Sequence, residues 1–323
     1  MALELALKTV PSTASLYLKA LVPGKRVEPP RESALLACAT LKNQPIDPAR
    51  LVEYCRVCGF SGPAEGRVPR VPATYPFVMA MPLQLSLLVS EAFPYSVLGI
   101  VHVRNEITQY RPIEIEDRLD FRCELYGPRH ARRGLEFDLL TRVYVQESLI
   151  WECVSTMLRR DIGAARSQEK AGGEKRKRSP ARAQSALSGA SALQRAARSS
   201  AGNHGIEREW QIGANTGRRY ARVSGDRNPI HLYTLSAKLF GFPGAIAHGM
   251  WTKARCLAEL EPQLAPFSGR FKIAIAFRKP IMLPASVVFT GSRELDAPAL
   301  SFSVKAKKGR SPHLHGSVEA ITD

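Results

Sequence analysis

The chain has 323 residues, 45% of them hydrophobic, enough for a packed core in one large domain or two of medium size. A formal charge of +17 and an isoelectric point near 9.9 invite a nucleic-acid reading, whereas no window reaches the ~18 uncharged apolar residues that a membrane span needs. The six cysteines are irregularly spaced, and their single Cys-x-x-Cys pair, Cys55 and Cys58, lacks the partners of a zinc set, so reduced thiols, no metal and a cytoplasmic protein are the expectation.

In chain order, the opening residues carry no basic stretch ahead of their apolar ones, which makes a poor signal peptide. The run PFVMAMPLQLSLLV, Pro76 to Val89, is too short to cross a bilayer and predicts a buried helix. Alternating segments follow, from Gly99 to Leu125, then LEFDLLTRVYVQ and LIWECVSTMLRR, all with the period of strands. From 163 to 204 the composition changes. Nine Lys or Arg face two Glu in a stretch rich in Ala, Ser and Gly, with too few large apolar residues to offset the entropy of ordering. This predicts a flexible basic linker whose charge run is solvated, and it removes most of the case for nucleic acid.

The parts on either side rhyme. Pro243 opens a second apolar helical run, as Pro76 opens the first. Pro112-Ile113 falls 36 residues after Pro76 and Pro280-Ile281 falls 37 after Pro243, and Phe121 and Phe289 each follow nine later. Internal duplication is the economical explanation. Each copy reads as one apolar helix followed by antiparallel strands, an α+β unit in which a sheet wraps a helix, and two copies can pair edge to edge. The divisions are 1–162, 163–204 and 205–323.

The chemistry concentrates in YARVSGDRNPIHL, Tyr220 to Leu232. Val223 to Asp226 reads as the end of an extended piece. Pro229 suits a first helical turn, and His231 begins a helical run that Gly241 ends. Asp226 and His231 then flank a tight loop, where a carboxylate and an imidazole can hold and deprotonate one water. His248-Gly249 opens the apolar helix of this half. A helix N-terminus offers free N–H groups, and Gly249 leaves its own unobstructed for a carbonyl oxygen that becomes an oxyanion. Water activation beside an oxyanion donor is what addition of water to an α,β-unsaturated thioester requires. Arg222, Arg278 and Lys279, with Arg218, Arg219 and Lys253, are basic residues near these blocks that suit a phosphate-bearing ligand.

SGDRNPIH, then AHGM, then FRKPIMLPASVVF resemble in order and spacing the MaoC-like dehydratases, or type-2 (R)-specific enoyl-CoA hydratases, over about residues 207–323. The resemblance implies a hotdog fold and no cofactor. It implies that Asp226 and His231 bind the catalytic water, Asn228 supports the loop, and Gly249 of the His248-Gly249 pair donates to the thioester carbonyl. It implies a double hotdog whose first copy is degenerate. There Met81-Pro82 stands where His248-Gly249 stands in the second copy, no acid-Asn-Pro-His motif precedes it, and widening the acyl tunnel is the expected role. The small hydroxyl residue that some members carry two turns into the helix is absent at Arg255, Cys256 and Leu257. The implied substrate is an acyl-CoA or an acyl-carrier-protein thioester. A further pairing into a homodimer is left open. The rivals are a non-catalytic acyl-CoA-binding scaffold and a hotdog thioesterase.

Overall fold

Eleven strands form one sheet in the computed structural model, which describes residues 2–21, 32–61, 70–131, 133–160, 205–267, 269–293, 299–309 and 311–321. The expected linker, 163–204, lies outside these residues. The first six strands are β1 (Leu3–Leu7), β2 (Leu35–Pro45), β3 (Val101–Gln109), β4 (Arg118–Ala131), β5 (Gly134–Val145) and β6 (Ser148–Arg160). The remaining five are β7 (Ile206–Ile212), β8 (Phe271–Phe277), β9 (Ala285–Arg293), β10 (Ala299–Ala306) and β11 (Pro312–Ala320). Their order is β1-β2-β4-β5-β6-β3-β8-β11-β10-β9-β7. Read outward from the centre, β3-β6-β5-β4-β2 and β8-β11-β10-β9-β7 follow the same plan. A duplication is therefore present in the topology. β3 and β8 pair antiparallel, Asn105 opposite Ile275, and join the halves edge to edge. β1 has no counterpart among the described residues and pairs parallel to β2 at the outer edge.

Each half wraps a long helix. α3 (Tyr75–Leu88) carries Pro76 in its first turn, where a missing N–H leaves no bond unmade. Twelve of its fourteen residues are buried, so it is a core helix with no solvent face. Each fully buried Leu or Val there contributes roughly 1.5–3 kcal/mol. Its counterpart is α6 (Gly249–Leu264), preceded by α4 (Thr216–Ser224) and α5 (Thr234–Leu239). In the first half, α1 (Thr13–Ala20) and α2 (Pro48–Cys58) precede α3. This is the double hotdog that the resemblance implies.

The structure corrects four local expectations. The second apolar helix starts at Gly249, not Pro243. Residues 245–247 and 281–283 exchange Ala247 N–H to Ile281 O and Leu283 N–H to Ala245 O, so this backbone is committed to a short ladder. It follows that Met81 and Pro82 lie inside α3, and the positions that answer to His248 and Gly249 are Thr74 and Tyr75. Val223 and Ser224 are helical, ending α4, and Gly225 caps it in the left-handed conformation (φ 78°). The helical run expected from His231 to Gly241 is broken into a 3-10 turn, Pro229–His231, and the separate α5.

Candidate active site

The loop from Gly225 to His231 is built by its own polar groups. Gly225 turns the chain out of α4, and the Asp226 N–H donates to Ser224 Oγ (3.1 Å). Asp226 Oδ1 accepts the Asn228 N–H at 3.1 Å. Asn228 is buried, accepts the Ile230 N–H on its side-chain oxygen, and donates Nδ2 to Ile100 O across the halves. Pro229 follows in the first position of the turn that presents His231. Gly217 of α4 lies so close beneath this loop that an added Cβ would collide with the His231 carbonyl.

His231 Nδ1 is 2.8 Å from Ile246 O. A carbonyl only accepts, so Nδ1 carries the proton and Nε2 keeps a free lone pair. His248 stacks on His231 with ring centres 3.8 Å apart, and its Nε2 donates to Asp226 O at 3.1 Å. His248 Nδ1 is buried without a partner. Burial holds both imidazoles below the ordinary histidine range, His248 down at about 3, so both are neutral at pH 7. Burial opposes ionisation of Asp226, but the two imidazoles, the Tyr17 hydroxyl and the Asn228 N–H together lower its pKa. The site thus holds a carboxylate beside a neutral imidazole, the protonation states that a water-activating pair needs.

Gly249 is the first residue of α6, and its N–H is among those the helix leaves unpaired. The Phe277 ring would touch a Cβ there at 3.2 Å, so only a glycine leaves this helix end open. Asp226, Asn228, His231, His248 and Gly249 all line one cavity of about 480 Å³. Its other walls include Phe77, Met81, Leu85 and Leu88 of α3, Leu139 of β5 and Met157 of β6. The first half therefore supplies much of the apolar wall, together with Tyr17, Gln84, His102 and Ser155, and the second supplies Asp226, Asn228, His231 and His248.

Asp226, His231 and His248 each offer a metal-ligating atom within 4.8 Å of the others. Stacked rings hold their in-plane lone pairs in near-parallel planes, however, and a tetrahedral ion needs them to converge. The arrangement suits proton transfer better than coordination.

Among the basic candidates, Arg278 and Lys279 are exposed and line the cavity. Their N–H groups both donate to His313 O, which fixes the backbone that carries them. Arg222 is exposed on α4 and does not line the cavity, nor do Arg218 and Arg219. Lys253 is a correction: it is fully buried and donates to Asn105 Oδ1 and Ile273 O at the seam of the halves. Burial pushes its pKa down to about 7. It braces the fold and cannot meet a phosphate at the entrance. Cys55 and Cys58 are buried free thiols on α2.

One site contact has no counterpart in the sequence reading. Tyr17 of α1 donates its hydroxyl to Asp226 Oδ1 at 2.8 Å, across 209 residues of chain. Nothing in the spacing of either residue announces the other.

The MaoC-like domain model matches residues 200–297. The chain is 34% identical to 3-hydroxyacyl-thioester dehydratase X of Mycobacterium tuberculosis over 278 residues, 86% of this chain and 88% of that protein. A crystal structure of HtdX from the same organism superposes with a TM-score of 0.67 at 31% identity, covering 88% of this chain and all of that one. A MaoC-like dehydratase from Phytophthora capsici shares the fold at 18% identity, TM-score 0.62, over 90% of this chain and 97% of its own. Repeated helix-in-sheet topology, the acid-imidazole loop and this similarity along most of the chain lead to one assignment: the chain belongs to the MaoC-like dehydratase family.

Proposed function

We propose that the protein catalyses reversible hydration of a 2-enoyl thioester to the (R)-3-hydroxyacyl thioester. One observation carries the reading: the ionised Asp226 and the free Nε2 of His231 line the same cavity as the open N-terminus of α6 at Gly249. Water sits between Asp226 Oδ2 and His231 Nε2. His231 takes one proton as the hydroxyl adds to C3. The electron pair of the double bond moves through C2 onto the thioester oxygen, where the Gly249 N–H stabilises the negative charge. The imidazolium then returns its proton to C2, and dehydration runs the same steps backwards. Asn228 holds the loop, and His248 supports His231 by stacking. The resemblance at these motifs and the name of the M. tuberculosis relative support the same chemistry.

In this reading residues 1–162 form a non-catalytic hotdog, 205–323 form the catalytic one, and 163–204 link them. The α2–α3 connection contains no His or Asp, and its helix begins with Thr74 and Tyr75, so the first half has no counterpart of the acid-imidazole pair. The acyl chain lies in the chamber along α3, and the coenzyme A or carrier-protein arm passes Arg278 and Lys279. The six free, buried cysteines suit a cytoplasmic setting. Among the described residues, no helix is long and apolar enough to cross a membrane.

The test is hydration of a panel of 2-enoyl-CoA esters, followed by loss of the enoyl absorbance with chiral analysis of the product. Asp226→Asn and His231→Ala should each lower turnover by roughly 10²–10⁴-fold. Release of free thiol instead of hydroxyacyl thioester would make the protein a thioesterase. Binding without turnover would make it a scaffold.

A further inference from the structure

Tyr17 belongs to α1, in the half that carries no acid-imidazole loop, yet it lines the catalytic cavity and touches the catalytic carboxylate. The helix is held there by independent contacts. Leu16 and Ala20 bury one face, and Thr13 lies against Gly225, where its methyl would sit 3.2 Å from an added Cβ. Arg50 of α2 donates through Nε and Nη2 to Val223 O, fixing the end of α4 from the same side.

The two oxygens of Asp226 are inequivalent as a result. Oδ1 accepts both the Tyr17 hydroxyl and the Asn228 N–H. Oδ2 makes no short bond, and His248 Nε2 lies 3.8 Å from it. The two neighbouring imidazoles favour the half-buried anion, and the two hydrogen bonds to Oδ1 hold it directly. Burial and the adjacent carboxylate push the Tyr17 phenol well above its usual range, so it stays protonated and acts only as a donor.

We propose that Tyr17 is a positioning residue for the hydration reaction: its hydroxyl fixes the Asp226 carboxylate with Oδ1 occupied and Oδ2 turned free for water. The non-catalytic half thus completes the catalytic centre of the other half. The inference rests on the reading of Asp226 as the water-binding acid.

The experiment compares the full-length wild type, Tyr17→Phe, Leu18→Ser and Asp226→Asn in enoyl-CoA hydration across pH. Phenylalanine keeps the ring and deletes one donor. A hydrogen bond to a charged group is worth about ten- to a hundredfold in an equilibrium or a rate. Tyr17→Phe should therefore lose about ten- to a hundredfold in kcat with KM within about threefold. Its acid limb should move to higher pH, because the half-buried carboxyl, deprived of a donor, ionises less readily. Leu18→Ser, on the exposed face of the same helix, should behave as wild type and so exclude general damage to α1. An unchanged kcat and acid limb in Tyr17→Phe, beside an inactive Asp226→Asn, overturns this proposal alone. A lowered melting temperature with an unshifted acid limb overturns it equally, since that is a packing role. A rise in KM with kcat intact overturns it in favour of substrate contact. Wild-type rates in Asp226→Asn would remove the reading of the site on which it rests.

Discussion

Under the proposed mechanism, Asp226 and His231 set the pH behaviour of the site. Each has its pKa lowered in the folded protein. The active form needs the first ionised and the second neutral, so lowering both extends the active form toward acid. The profile of kcat/KM for the free enzyme should be flat through neutrality and fall only below the ordinary histidine range. A half-maximal rate above that range would mean that a charged imidazole is the resting form. His248 adds a stability term of its own. Its folded pKa, about 3, lies below the unfolded value near 6.5, so the unfolded chain binds more protons between them. Its contribution is complete above pH ~6.5 and is lost as pH falls toward about 3. His248→Gln should therefore flatten the acid side of a plot of melting temperature against pH.

At the scale of elements, the catalytic loop depends on the close approach of α4. Gly217→Ala should lower both the melting temperature and kcat, because its methyl can be accommodated only by moving the His231 carbonyl or the helix. Wild-type activity with the methyl in place would show that the loop tolerates the shift. This is also the scale at which the sequence was least legible. The long apolar run of α3, the alternation of β5, β6, β10 and β11, and the acid-Asn-Pro-His order could all be read locally. The start of α6 was ambiguous, since His248-Gly249 marks it but Pro243 competes. Pro243 and the apolar residues behind it suit a helix, but Ala245 and Ala247 are captured by Ile281 and Leu283, more than thirty residues away. The end of α4 was misread because Val223-Ser224-Gly225 has neutral local propensity, and packing on α2 decides it. β1 and α1 were missed altogether, and Tyr17 with them. Its role arises from a contact between chain segments that only the fold brings together.

At the scale of the molecule, a buried lysine and an exposed cationic rim respond oppositely to the solvent. Lys253 has a folded pKa of about 7 and an unfolded value near 10.4, so the unfolded chain binds the extra proton between these limits. Stability from this group should rise with pH through that window. Lys253→Met should abolish the rise, as pH-dependent denaturation can measure. Arg278 and Lys279 stand in water, and salt screens them. Charge reversal at either should raise KM for a CoA ester while leaving kcat nearly unchanged, and high salt should do the same to the wild type. A KM indifferent to both would move the phosphate contacts elsewhere.

The β3–β8 seam makes a single polypeptide do what two identical subunits would otherwise do. In a symmetric pair every substitution is written twice, so a residue chosen to open the chamber along α3 would also alter the corresponding place near the catalytic loop. Carrying both copies on one chain, paired where Asn105 faces Ile275, releases that constraint. Phe77, Met81 and Leu85 can change with the shape of the acyl group while Asp226, Asn228 and His231 stay fixed, and inheritance can tune specificity and chemistry as separate traits.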